Sequence, residues 1–149
     1  MRRLLAALLF LAVAAPALAA DQTVEIIISN PWSRATPKTV PVGVGYMTIE
    51  NAGNVPDRLI GIECACAERV ELHETTTRDG VMHMAPLPDG LEIPAGATVE
   101  LGPGGTHVMF MGLTAPFKEY ERFPATLIFE KSGSLVVRFE IHPLRDKKS

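Results

Sequence analysis

Two short runs in this chain carry donor atoms suited to a soft metal ion. The first is Gly104-Gly105-Thr106-His107-Val108-Met109-Phe110-Met111-Gly112-Leu113. It reads as a strand entered and left through glycine. Successive side chains on a strand point to opposite faces, so His107, Met109 and Met111 share one face and Val108 and Phe110 the other. One imidazole and two thioethers along one face suit copper(I) above other ions. The second run holds His73 and, across an Asp79-Gly80 hairpin turn, Met82-His83-Met84. His73 alternates with Val70 and Leu72, and the two methionines point to the opposite face from His83. A site of two imidazoles and one or two thioethers leaves the copper(I) charge uncompensated and offers no thiolate to slow release. Thioethers need no deprotonation, so pH enters mainly through the histidines.

The other reactive side chains read as structural. Met47 sits in an apolar strand and is expected in the core. His142, beside Pro143, and the glutamates Glu71 and Glu74 around His73 read as ordinary strand residues, although either glutamate has the chemistry to orient the His73 ring. Nucleophilic catalysis finds no G-x-S-x-G, no H-E-x-x-H and no cysteine presented with a matching histidine motif, so no catalytic step is expected. A blue-copper electron carrier needs one cysteine with two histidines, whereas Cys64 and Cys66 both precede His73 and neither lies near His107. The cysteine pair is open to three roles: thiolate ligands, a redox pair, or inert residues. A bridge between them is expected to be strained, because alternate strand residues lie about 6.5–7 Å apart, near the upper limit for bridging.

The elements that must position these residues are strands. Short alternating or β-branched runs cover residues 24–29, 42–50, 58–62, 69–74, 81–84, 91–93, 98–101, 106–113, 125–130 and 135–141. Asn30-Pro31-Trp32 is expected to end the first of them, and residues 114–123 read as a loop. Turn signals recur every eight to twelve residues, and no helical window stands out. That pattern predicts an all-β, Greek-key sandwich in a single domain. At 149 residues the chain is long enough to bury a core without help from a metal.

The first residues read as a leader. Met1-Arg2-Arg3 is followed by an apolar run from Leu4 to Ala15 and by Ala17-Leu18-Ala19, the pattern of a secretory signal peptide over residues 1–19. The domain is then expected over residues 20–149, exported, soluble and monomeric. Without the leader the net charge moves from -3 to -5, since two of the 14 basic residues lie in it against 17 acidic ones outside. No basic cluster points to nucleic acid.

The spacing of the donors resembles a known family. His73, ten residues, Met84, twenty-two residues, then His107-x-Met109 is similar to the H-(M)-x10-M-x21-H-x-M motif of the periplasmic copper chaperones of the PCuAC family. Asn30-Pro31-Trp32-Ser33-Arg34, Gly45-Tyr46-Met47-Thr48-Ile49, Glu71-Leu72-His73-Glu74 and Gly104-Gly105-Thr106-His107-Val108-Met109 extend the likeness over nearly the whole mature chain. The second gap is one residue longer than the motif, in a stretch holding Gly102, Gly104 and Gly105. The resemblance implies a cupredoxin-like β-sandwich with a copper(I) site made by His73, Met84, His107 and Met109, leaving Met111 as a neighbour. It also implies a periplasmic role in assembling the dinuclear copper centre of cytochrome c oxidase, with oxidase subunit II or a Sco-type thioredoxin-like copper protein as partner. Residues 143–149 hold neither His nor Met, so the copper(II)-binding extension of some members is not expected. Two other classes compete: a copper electron-transfer protein, and a metal-free β-sandwich binding module.

Overall fold

The structure, a computed structural model, describes residues 21–144; the leader read over residues 1–19 lies outside them. Ten strands follow in order: β1 (Ile26–Arg34), β2 (Val42–Asn51), β3 (Asp57–Glu63), β4 (Ala67–Arg78), β5 (Val81–Pro86), β6 (Leu91–Ile93), β7 (Thr98–Leu101), β8 (Thr106–Leu113), β9 (Arg122–Phe129) and β10 (Gly133–His142). Among the described residues there is no helix. The strands pair in the order β5-β4-β8-β2-β1-β10-β9-β3-β6, with β7 also on β2. The path folds over on itself. Leu72, Val108, Phe110, Met47, Ile49 and Leu101 from one half pack with Leu59, Ile62, Ile93, Leu127, Phe129, Phe139 and Ile141 from the other in one buried cluster. Burial of alternate residues, clearest along β2 and β9, is what a sandwich requires of strands with one face on the core.

β1 joins the two halves, and here the sequence expectation needs correction. Asn30-Pro31-Trp32 does not end the strand. Residues 26–29 pair antiparallel with β2, the register shifts between Ser29 and Trp32, and Trp32 to Arg34 then pair in parallel with β10. Asn30 takes a positive φ of 50°, and Pro31 has no N–H to donate. The two residues form an irregularity that interrupts the ladder and re-aims the strand without stopping it. The loop expected up to Phe123 is also shorter, because Phe123 already pairs with Phe139.

Phe110 sets the thickness of the core. Its ring meets Phe117, Phe123 and Phe139 edge-on at centroid distances of 5.7, 5.2 and 5.5 Å, the arrangement aromatic quadrupoles favour. Room for it comes from β2. A Cβ on Gly45 would lie 2.8 Å from Phe110 and 2.9 Å from Phe139.

Two turns fix the strands that matter for the site. Asp79 and Gly80, with φ of 52° and 76°, form a two-residue loop in which Arg78 pairs with Val81. Positive φ at both positions is the type I′ geometry that matches strand twist. Between β7 and β8, Gly105 N–H donates to Gly102 O and Gly102 N–H to Thr106 O. A third turn, between β3 and β4, holds Cys64 and Cys66, which are joined in a disulfide. The strain expected of that bridge assumed extended strand spacing; in the turn the Cα atoms are only 5.1 Å apart, inside the usual bridging range.

Candidate metal centre

The turn registers bring the donors onto one face of three adjacent strands. His73 on β4 lies directly opposite His107 on β8, and Glu71 lies opposite Met109. On the other side of β4, Met84 of β5 lies opposite Thr75, and Pro86 lies opposite His73. Met84 and Met109 are thus both diagonal neighbours of His73, a step of about 7–8 Å that long side chains bridge. Because the Asp79-Gly80 loop has two residues, the register places Met84 on the His73 face and His83, opposite Thr76, on the other. Met111 is one step further away, opposite Arg69, and its sulfur accepts a hydrogen bond from Arg69 Nη2 at 3.4 Å. Register therefore separates Met109 from Met111, which share a face. Met47 is a core residue, and His142 stacks on Trp32 at 5.1 Å. Both are placed as the sequence suggested.

His107 is the buried imidazole of this cluster and His73 is half-buried. His107 is 4% exposed, and the rings lie 6.0 Å apart at 38°. Each ring has one nitrogen held and one left over. His107 Nδ1–H donates to the Gly105 carbonyl oxygen at 2.9 Å. His73 Nε2–H donates to Glu71 Oε2, also at 2.9 Å. A carbonyl or an ionised carboxylate only accepts, so the proton of each neutral ring sits on the held nitrogen. The remaining nitrogens, His73 Nδ1 and His107 Nε2, are buried and have no hydrogen-bond partner among the described residues. Buried polar atoms are nearly always paired. Two orphaned lone pairs on facing rings, each with its tautomer fixed by a hydrogen bond behind it, are what metal-ligating histidines present.

Glu71 departs from the sequence expectation of a solvated strand residue. It bridges His73 and Arg69, whose Nε lies 2.8 Å from Glu71 Oε1. The signal was its position two residues from His73, hence on the same face. Gly105 escaped notice because its contribution is a backbone carbonyl. That oxygen also accepts Thr75 N–H at 3.2 Å, tying the glycine turn to β4. The thioethers provide the open side, with Met84 57% exposed. Among the described residues no three His, Cys, Asp or Glu side chains converge on a point. Two imidazoles and two thioethers would together make a neutral, soft donor set, suited to copper(I) rather than to zinc, magnesium or calcium.

Residues 26–141 match the family described as "Putative lipoprotein LpqE-like". The chain belongs to this family. Solved PCuAC domains are among its structural neighbours, and this LpqE-like chain is of the PCuAC type. It is 33% identical over 107 residues to "Putative lipoprotein Lxx21020" of Leifsonia xyli subsp. xyli, a match covering 72% of this chain and 63% of that protein. It is 24% identical over 115 residues to protein RP573 of Rickettsia prowazekii, covering 75% of this chain and 64% of that one. The chain thus spans less than two thirds of the length of either curated relative. Among solved structures, the copper-bound PCuAC domain from PmoF2 superposes with a TM-score of 0.69 at 27% identity, covering 81% of this chain and 96% of that domain. The copper(I) form of DR1885 from Deinococcus radiodurans gives 0.67 at 28% identity, covering 88% and 87%. The LpqE-like chain accordingly has the cupredoxin-like β-sandwich. Among its described residues no helix is long and apolar enough to cross a membrane.

Proposed function

We propose that this chain is an exported copper(I) chaperone without a catalytic step, holding its cargo between His73 Nδ1, His107 Nε2 and the sulfurs of Met84 and Met109. The observation that carries the reading is the pair of buried, orphaned imidazole nitrogens with their opposite nitrogens tied to Glu71 and Gly105. The copper carried by the PmoF2 domain and by DR1885 supports it. The two imidazoles, less exposed than Met84, would anchor the ion while Met84 is exchanged first for an acceptor's ligand. Neutral donors make that exchange fast, because no thiolate has to be displaced or protonated. The proposed destination is the dinuclear copper centre of cytochrome c oxidase, reached through its subunit II or a Sco-type protein. The leader pattern over residues 1–19 and the lipoprotein relative support export to the periplasm. A blue-copper reading lacks its thiolate, since both cysteines are engaged with each other at the far end of β4.

The test is a copper(I) titration with ascorbate as reductant, which leaves the disulfide intact, in competition with bicinchoninate. One tight equivalent is expected, and X-ray absorption should count both nitrogen and sulfur neighbours. An unchanged affinity in the Met84→Leu/Met109→Leu double variant would show that the thioethers are not ligands.

A further inference from the structure

The Cys64–Cys66 disulfide is not needed for the site just described, and it does little for the fold. Loop-closure stabilisation grows with the length of the loop closed, and this bridge spans a single intervening residue. The turn it crosses is held without it. Ala67 N–H donates to Cys64 O, and Thr114 donates to Cys66 O through both its N–H and its hydroxyl. On either side, β3 is paired with β9 and β4 with β8. The two sulfurs would therefore stay close together if the bond between them were opened. They are half-buried, with exposed Ala65 between them and exposed Glu63 and Glu68 flanking the turn in sequence.

We propose that Cys64 and Cys66 form a redox-gated second copper(I) site: closed as the disulfide, opened by a dithiol, and then able to hold one copper(I) between two thiolates. The site is independent of the His73–His107 centre. Cys66 lies seven residues from His73 along β4 and its approach, about 23 Å at strand spacing, so the two cannot share an ion. Thiolates are the strongest soft donors a protein offers to copper(I).

The opening step balances as thiol–disulfide exchange. One thiolate of the dithiol attacks Cys66 Sγ, the Cys64–Cys66 bond breaks, and Cys64 leaves as thiolate. Cys66 N–H donates to Cys64 Sγ at 3.2 Å, and the Pro124 carbonyl oxygen, 3.4 Å from the same sulfur, is placed to accept from the Cys64 thiol once it is protonated. The second thiol of the reductant then attacks its own sulfur in the mixed disulfide and releases Cys66. Two electrons and two protons pass to the protein, and the dithiol becomes a disulfide. Copper(I) binding afterwards displaces the two thiol protons.

The experiment compares the same protein before and after reduction. Oxidised and dithiothreitol-reduced samples, the latter desalted without oxygen, are titrated with copper(I) against bicinchoninate while the ultraviolet thiolate-to-copper(I) band is followed. The reduced protein should bind one equivalent more than the oxidised protein, and the band should accompany that equivalent alone. Cys64→Ser/Cys66→Ser should bind the lower number under both conditions. The reduced Met84→Leu/Met109→Leu variant should keep the thiolate-banded equivalent, which separates this site from the His/Met reading. Equal stoichiometry in the two redox states, or a free-thiol count that stays at zero in the folded protein under dithiothreitol, would overturn the proposal.

Discussion

Replacing Glu71 should weaken copper(I) binding although its carboxylate is not among the four proposed donors. Glu71 is the middle of a line in which Arg69 Nε meets one carboxylate oxygen at 2.8 Å and His73 Nε2 meets the other at 2.9 Å. The second contact keeps the proton on Nε2 and so leaves the lone pair on the buried, unpartnered Nδ1. A hydrogen bond to a charged group contributes about 1.5–3 kcal/mol. The Glu71 side chain is 34% exposed, so water compensates part of its loss and the lower end applies. About 1.4 kcal/mol is a factor of about ten in affinity, the low end of the range for partners behind metal-bound histidines. Glu71→Gln keeps an acceptor for the His73 proton but loses the charge, so about fivefold is expected. Glu71→Ala loses both, and about tenfold or more is expected. The assay is bicinchoninate competition at one neutral pH with the disulfide intact, alongside circular dichroism to verify the fold. If both variants bind within about twofold of the parent, the hydrogen bond does not set the His73 tautomer and the site's construction has been misread.

Two further predictions concern the scaffold. Gly45→Ala should destabilise by about 1–3 kcal/mol, the usual range for overpacking, because its Cβ would intrude on Phe110 and Phe139; a urea midpoint within error of the parent would mean that the aromatic stack yields easily. Asp57 makes a pH-dependent contribution. Burial pushes its carboxyl upward, but hydrogen bonds from the Ser132 hydroxyl and from the N–H groups of Lys131, Arg58 and Ser132 outweigh it and hold the group below the usual carboxylate range. A lowered folded value means that the unfolded chain binds the proton more readily. The stability is then fully present above about pH 3.9, the ordinary value, and is lost as pH falls through the folded value. Asp57→Asn should be less stable than the parent at pH 7, with the gap narrowing in acid; urea unfolding at both ends of that range checks it, and a constant gap would refute it.

Much of this architecture is legible in local sequence because it rests on local physics. Alternation with period two picks out the ten strand runs, and Asp-Gly has the backbone freedom that a two-residue hairpin requires. Those two facts are enough to put His107, Met109 and Met111 on one face and to turn Met84 away from His83. Asn30-Pro31 shows the limit. Proline removes a donor whether a strand ends or bulges, and which of the two happens depends on β2 and β10, more than ten residues away in the chain. The cysteine bridge shows it again, because its feasibility depended on the pair lying in a turn rather than on a strand.

The identity and spacing of the donors, and the softness that points to copper(I), are properties of the amino-acid order. They need no partner strand to be read. Which donors meet is a property of long-range pairing. The β4–β8 register sets His73 against His107, moves Met111 to Arg69, and puts Glu71 and the Gly105 carbonyl behind the two rings. Burial then leaves two imidazole nitrogens without partners. A side chain's period is written in its neighbours along the chain. Its register, burial and unmet hydrogen bonds come from residues far away in sequence, and they exist only once the strands have paired.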